Sequence, residues 1–324
     1  MVVVERPQVD LVGVDAVVWI GIREADFHRA AERIEDEPLG IAQAFHRRLH
    51  AAALAHPGAR RTSLGGGENR IAYLRGEMRV LMPVDTRSSS VMFIIRKDLK
   101  DQGINSLEKL TDWKRPDGRK PIVSVSSLGG TNHVWASYYM ETMGLDQKVT
   151  WIGTGNVDTM LGSLKSKQVD VLVSSLSLLN ESMEQGWGEL LFDGTDEAIW
   201  NKYIGGKVPV TAHFTLQSTI DKDPAKMQAF VTALWRATQW VKVHTPEQIY
   251  DVIEPYVGST SRKANILEIN ALQKVADYDA TIDAEGFARG EKVWFREMTG
   301  IKPLTIAEVV SPAFVEAARK AYPG

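Results

Sequence analysis

The chain has no cysteine in 324 residues. That removes disulfides, thiolate metal sites and cysteine nucleophiles. Such a composition suits an exported protein that avoids stray oxidation, and also many that are not exported, so it works only as an exclusion. No run of about 18 or more apolar residues occurs, and no segment reads as a membrane-spanning helix. Strong charge of one sign is missing as well. Lys and Arg number 38 against 41 Asp and Glu, a formal net charge of −3, so no field draws the whole chain toward nucleic acid or anionic lipid. The apolar stretch 12–22 is interrupted by Asp15 and has no basic segment directly before it, so no signal peptide is visible. Signatures of catalysis are absent too: no G-x-S-x-G elbow, no G-x-x-x-x-G-K-[ST] loop, no H-E-x-x-H and no G-x-G-x-x-G.

One absence is regional. Residues 1–96 carry 13 Arg and no Lys, whereas residues 97–324 carry 7 Arg and 18 Lys. Either chance and a basic surface produce this, or part of the N-terminal segment has a different origin, such as a misread frame. Residues 1–60 are atypical on this ground. Within them 26–33 and 41–54 have helical patterns. His46 and His50 stand four apart, the spacing that places two ligands on one helix face. No Glu follows His46, however, and Arg47 and Arg48 flank the pair, which favours a solvated basic face over a metal site.

What is present is a core-forming composition, 44% hydrophobic, long enough for one large domain or two ordinary ones. From residue 63 onward the pattern is orderly. Strands are expected at 80–84 and 91–96, a helix at 105–113, and a strand at 122–125. A polar loop leads into a helix over 132–143 that stops at Gly144. A strand at 149–152 and a helix at 157–167 with Asn156 as N-cap follow. Residues 169–173 form an unbroken apolar run, as in a strand buried on both faces. A further helix ends at Gln185. Strand, glycine or serine loop, helix, strand, repeated three times, predicts a parallel, doubly wound α/β sheet. Residues 208–217 read as a longer strand. The remainder is helical, with starts at Asp223-Pro224, Thr245-Pro246, Asp283 and Ser311-Pro312. Trp235, Trp240, Trp294 and Phe295 are expected to pack against the sheets rather than touch a ligand.

In open α/β sheets ligands bind beyond the carboxyl ends of strands. The loop Ser126-Ser127-Leu128-Gly129-Gly130-Thr131 is the first candidate. Its glycines let backbone approach a ligand, its hydroxyls donate, and the helix that follows points free N–H groups and its positive dipole end at the same spot. An anion there gains roughly 0.3–1 kcal/mol from the dipole. The second candidate is 85–90, where Thr86 and Arg87 stand and Arg87 offers a two-pronged grip on a carboxylate or sulfonate. Ser174-Ser175 is the third. Gly67, Glu68 and Asn69, in a glycine-rich turn, form the fourth. His133, beside the first loop, either donates to a ligand or is an ordinary surface residue, and His213 reads as structural.

The order of these elements resembles the type II periplasmic binding proteins of the nitrate, sulfonate and taurine group. The matching pieces are Val123-Ser124-Val125 running into Ser126–Thr131, the helix end Met143-Gly144-Leu145-Asp146, and Gly162 through Val169-Asp170-Val171. Asp223-Pro224 through Ala233-Leu234-Trp235-Arg236-Ala237, Trp240 and Thr245-Pro246-Glu247 complete the run. Gln168 stands where that group usually has Gly. The resemblance covers about 63–260 and implies a two-lobed α/β fold, each lobe a mixed sheet flanked by helices, with a ligand cleft between. Lobe one would comprise 1–97 and 210–324, with lobe two at 98–209 and crossings near 97–99 and 208–215. It implies lobe-two contacts from Ser126, Ser127, Gly129, Gly130, Thr131, Ser174 and Ser175. The implied lobe-one contacts come from Gly67, Glu68, Asn69, Thr86 and Arg87. The expected role is the non-enzymatic, monomeric substrate-binding component of an ABC importer. It would sit in the periplasm, use no cofactor or metal, hold a small organic anion and partner a membrane permease. Two alternatives on the same fold are an enzyme resembling the thiamine-pyrimidine precursor synthases, whose cysteine-rich motif this chain lacks, and a two-lobed sensory module.

Overall fold

The computed structural model describes residues 59–63, 77–256, 261–296 and 304–323. Among these residues the strands form two sheets. The three-stranded sheet contains β1 (Ala59–Ser63), β2 (Met78–Pro83) and, late in the chain, β8 (Thr211–Leu216), in the order β1-β8-β2, with both pairings antiparallel. The five-stranded sheet is built from β3 (Met92–Arg96), β4 (Ile122–Val125), β5 (Thr150–Gly153), β6 (Val171–Ser174) and β7 (Gly188–Asp193). Its order is β5-β4-β6-β3-β7. β4 runs parallel to β5 and β6, while β3 is antiparallel to β6 and β7. The parallel trio is the doubly wound unit that the repeated strand–loop–helix pattern predicts.

Helices join the strands of the larger sheet: α1 (Lys97–Asp101), α2 (Leu107–Asp112), α3 (Thr131–Thr142), α4 (Val157–Lys165), α5 (Leu176–Glu184) and α6 (Glu197–Ile204). After β8 the chain is helical, with α7 (Gln217–Lys222), α8 (Pro224–Val243), α9 (Pro246–Ile253), α10 (Arg262–Val275), α11 (Ala284–Trp294), α12 (Ile306–Val309) and α13 (Ala313–Ala321). Local chemistry sets most starts. The side chains of Asn156, Asp223 and Asp283 accept backbone N–H groups of the first turns of α4, α8 and α11. Thr245 and Gln248 make a reciprocal capping box on α9. At the last helix Pro312 itself takes the cap position, one residue later than Ser311-Pro312 suggests.

The core follows from the same patterns. β3 is buried at all five positions, and Val171, Leu172 and Val173 of β6 are fully buried. One apolar cluster links β2 and β8 (Met78, Val80, Ala212, Phe214) to β3, β4 and β6, to Trp135 and Tyr139 of α3, and to Phe287 and Trp294 of α11. A second sets Leu81 and Met82 of β2 against Met227, Phe230, Val231, Leu234 and Trp235 of α8. Trp235, Trp294 and Phe295 are buried and Trp240 is partly buried, as expected of core aromatics. His213 packs edge-on to Phe230 within the smaller sheet's face, the structural place expected of it.

Asp170 anchors the larger sheet. Its fully buried carboxylate accepts Arg96 at 2.9 Å, Arg115 at 2.6 Å and the Ile122 N–H at 2.8 Å. The Val-Asp pair of the sequence run is therefore a buried ionic tie between β3, β4 and β6.

Because β3 pairs with β6 and β7, the chain passes between the sheets through 84–91, ahead of the crossing near 97–99 that the resemblance implies. The return runs beside it: Val208 N–H donates to the Thr86 C=O, Val84 N–H to the Thr211 C=O, and Thr211 N–H to the Asp85 carboxylate.

Candidate functional site

The parallel strands end side by side, Val125 against Gly153 and, through β6, Ser174. Met92, where antiparallel β3 begins, pairs with both Ser174 and Asp193. One edge of the larger sheet therefore gathers 88–91, 126–131, 154–156, 174–175 and 193–195. Of the residues named from sequence, this edge brings together Ser126, Ser127, Gly129, Gly130, Thr131, Ser174 and Ser175. Thr86 and Arg87 lie in the crossing segment that leads to it. Gly67, Glu68 and Asn69 fall outside the described residues, as do His46 and His50.

Hydrogen bonds hold the first loop in shape. The C=O of Ser126 accepts Gly155 N–H at 2.9 Å, and that of Ser127 accepts Gly130 N–H at 3.1 Å. Gly129 sits at φ +76°, where a side chain is strained. Gly130 has an ordinary φ of −71°, but a Cβ there would lie 2.6 Å from Ser127 Oγ and 3.1 Å from Ser127 O. The two glycines thus serve different ends, one conformation and one space. Gly129 N–H donates to His133 Nδ1 at 3.1 Å, so the neutral imidazole carries its proton on Nε2. The ring also packs edge-on to Trp151. His133 therefore shapes the loop from within its own helix.

α3 starts at Thr131 with no acidic residue in its first turn and no side-chain cap, so its positive end is not offset locally. Asn132, buried in that turn, ties three elements. Its Oδ1 accepts the Ser90 hydroxyl at 2.9 Å and its Nδ2 donates to the Val173 C=O at 3.4 Å. Ser124 and Thr154 share a hydroxyl hydrogen bond between β4 and the loop after β5. Ser90, Asn132 and Thr154 were not singled out from sequence. Ser90 belongs to the polar loop 85–90, but nothing local shows that it would meet a side chain 42 residues away.

The other two candidates are engaged within the protein. Arg87 donates through Nε to the Thr195 C=O at 3.3 Å, and its guanidinium lies 3.6 Å from the exposed Glu197 carboxylate. Thr86 gives both its N–H and its hydroxyl to the Val275 C=O. Ser175, at the start of α5, shares a hydroxyl hydrogen bond with Ser177, whose N–H donates to the Glu268 carboxylate at 2.9 Å. Burial pushes the Glu268 carboxyl above its usual range, against the lowering effect of the Ser177 N–H and the Ser175 and Ser177 hydroxyls.

This edge offers backbone and hydroxyl donors at a helix N-terminus, the chemistry of an anion site. Among the described residues no group of three His, Asp or Glu side chains could hold a metal. No described helix is long and apolar enough to cross a membrane.

Comparison with known proteins agrees with the resemblance drawn from sequence. The putative periplasmic sulfonate-binding protein SsuA of Methylobacillus flagellatus KT superposes with a TM-score of 0.60 at 14% identity. The match covers 84% of this chain and 78% of that one. The periplasmic nitrate-binding protein NrtA of Synechocystis PCC 6803 gives 0.59 at 12% identity, covering 87% and 79%. The desulfurization enzyme DSZB gives 0.58 at 14% identity, covering 82% and 86%. The fold is thus the two-lobed periplasmic-binding-protein type, and at least one enzyme shares it. No curated protein matches the chain. The model of the NMT1-like family matches residues 40–254, beginning inside the compositionally atypical segment. With that match spanning most of its length, the chain belongs to the NMT1-like family.

Proposed function

We propose that this protein is the substrate-binding component of an ABC-type importer, capturing a small organic anion in the cleft between its two lobes. The observation that carries the reading is the uncapped N-terminus of α3, cradled by Ser126–Gly130 at the carboxyl edge of the larger sheet. The fold likeness to sulfonate- and nitrate-binding proteins supports it. Lobe two is the five-stranded sheet with its helices. Lobe one is the three-stranded sheet with the C-terminal helices, joined to lobe two through 84–91 and 205–210. The ligand meets Ser126, Ser127, Gly129, Gly130 and Thr131 from one side, and Gly67, Glu68, Asn69, Thr86 and Arg87 from the other. Ser174 and Ser175 complete the edge. The partner is a membrane permease, and the place of action is periplasmic or otherwise extracytoplasmic.

A dissociation constant near 1 μM corresponds to about −8 kcal/mol, within reach of several charge-assisted hydrogen bonds and one buried apolar group. Calorimetry and thermal-shift screens over sulfonates, nitrate, bicarbonate and aromatic carboxylates test it. At least one class should bind and raise the melting temperature; silence across all of them sinks the proposal.

A second reading, an enzyme, is favoured by the desulfurization enzyme of the same fold. With no cysteine in the chain, its nucleophile or acid would have to be a hydroxyl, carboxylate, imidazole or lysine amine. Conversion of an aryl sulfinate or sulfonate by the purified protein would support this reading over passive binding.

A further inference from the structure

The two lobes meet in chemically different ways at two helix pairs. On α11 and α3 the contact is apolar: Phe287 and Trp294 belong to the same buried cluster as Trp135 and Tyr139. Arg296, just beyond α11, adds an ion pair to Glu141 of α3. On α10 and α5 the clustered apolar residues belong to separate groups. Ile266 and Ile269 of α10 pack with Ile249, Tyr250, Trp240 and Val241, on the side of α8 and α9. Leu178 and Leu179 of α5 pack with Ile94, Met160 and Leu172 of the larger sheet. Two polar ties join α10 to α5: Glu268 on the Ser177 N–H at 2.9 Å, and Lys263 on Glu184 at 2.6 Å.

We propose that the α10–α5 contact is a releasable latch between the lobes, with the Glu268 carboxylate seated at the N-terminus of α5 as its bolt. An apolar seam would have to expose oily surface to open, whereas polar partners can exchange to water. α5 carries no acidic residue in its own first turn, so the negative group at its positive end comes from the other lobe. Among the described residues Glu268 makes no salt bridge, and the donors it meets are the backbone and hydroxyls of α5. Lys263 and Glu184 make a second tie one helix-length away, and the ammonium holds the Glu184 carboxyl below its usual range. This inference does not depend on which ligand the cleft accepts, or on whether it accepts one.

The absence of native cysteine makes the test direct. Val157→Cys on α4 and Val243→Cys at the end of α8 are exposed positions in different lobes. Spin labels on this pair report the separation of the lobes by electron–electron double resonance in the full chain without ligand. The parent pair should give one dominant distance. Glu268→Ala should add a second population displaced by more than about 2 Å. Glu268→Gln, which keeps an acceptor but loses the charge, should add less of it, and Lys263→Ala less again. If Glu268→Ala does not fold, Glu268→Gln decides on the same readout. Distributions identical to the parent in a folded Glu268 variant overturn the latch. So does faster amide exchange confined to α10 with the distance unchanged, because that would mean Glu268 only steadies its own helix.

Discussion

Gly130 and Asp170 show how much a single position decides. Gly130→Ala keeps an allowed backbone but drives a methyl group into Ser127 Oγ and its carbonyl, so the loop must shift. We expect the melting temperature to stay nearly constant and anion affinity by calorimetry to fall about tenfold, roughly 1.4 kcal/mol. An unchanged affinity would remove this loop from the site. Asp170→Ala takes the buried carboxylate away from Arg96 and Arg115, leaving Arg96 its pair with Asp98 and Arg115 its backbone carbonyl partners. Removing one partner of such a network costs about 3–5 kcal/mol, readable as a lower urea midpoint. Asp277 acts through pH. Burial raises its carboxyl above the ordinary value, against hydrogen bonds from neighbouring N–H groups. The folded state therefore binds the proton more tightly than the unfolded state. That contribution to stability is complete below about pH 3.9 and is lost as pH rises through the folded value. Asp277→Asn does not titrate, so its melting temperature relative to the parent should climb as pH is raised from about 4 to 7. A flat difference would refute the assignment.

At the scale of the element, the helix starts were the most legible feature, because a cap is a short-range device. The threonine of Thr245-Pro246 makes the expected N-cap, and Thr245→Ala should cost about 0.5–2 kcal/mol in urea unfolding. Edge and satellite elements were hard to read. β7 lies at the border of the larger sheet with a half-exposed burial pattern, so its hydrophobic period is weak. α10 buries few apolar residues, in a small separate cluster, and its amphipathic signal is faint for the same reason. Sheet membership is hard to read for a related cause: an all-apolar strand such as β3 fits either sheet until its partners are known.

For the whole molecule, the apolar cluster shared by both sheets has a consequence. Residues of β2 and β8 pack in one continuous core with those of β3, β4, β6, α3 and α11. The lobes should therefore unfold together, as a single calorimetric peak whose van't Hoff and calorimetric enthalpies agree. Two resolved peaks would mean that the seam at Trp294 does not couple them.

The amino-acid sequence by itself determined the alternation of strand, hydroxyl-bearing loop and helix over 122–185, the caps, and the anion-friendly character of Ser126–Thr131. Each depends on neighbours a few residues apart, where period and turn chemistry act. Only the tertiary structure decided that Asn132 would bind Ser90, that Arg87 would face Thr195 and Glu197, and that Glu268 would settle on Ser177, 91 residues away. Periodicity fixes which face of an element is buried, but not which distant element covers it.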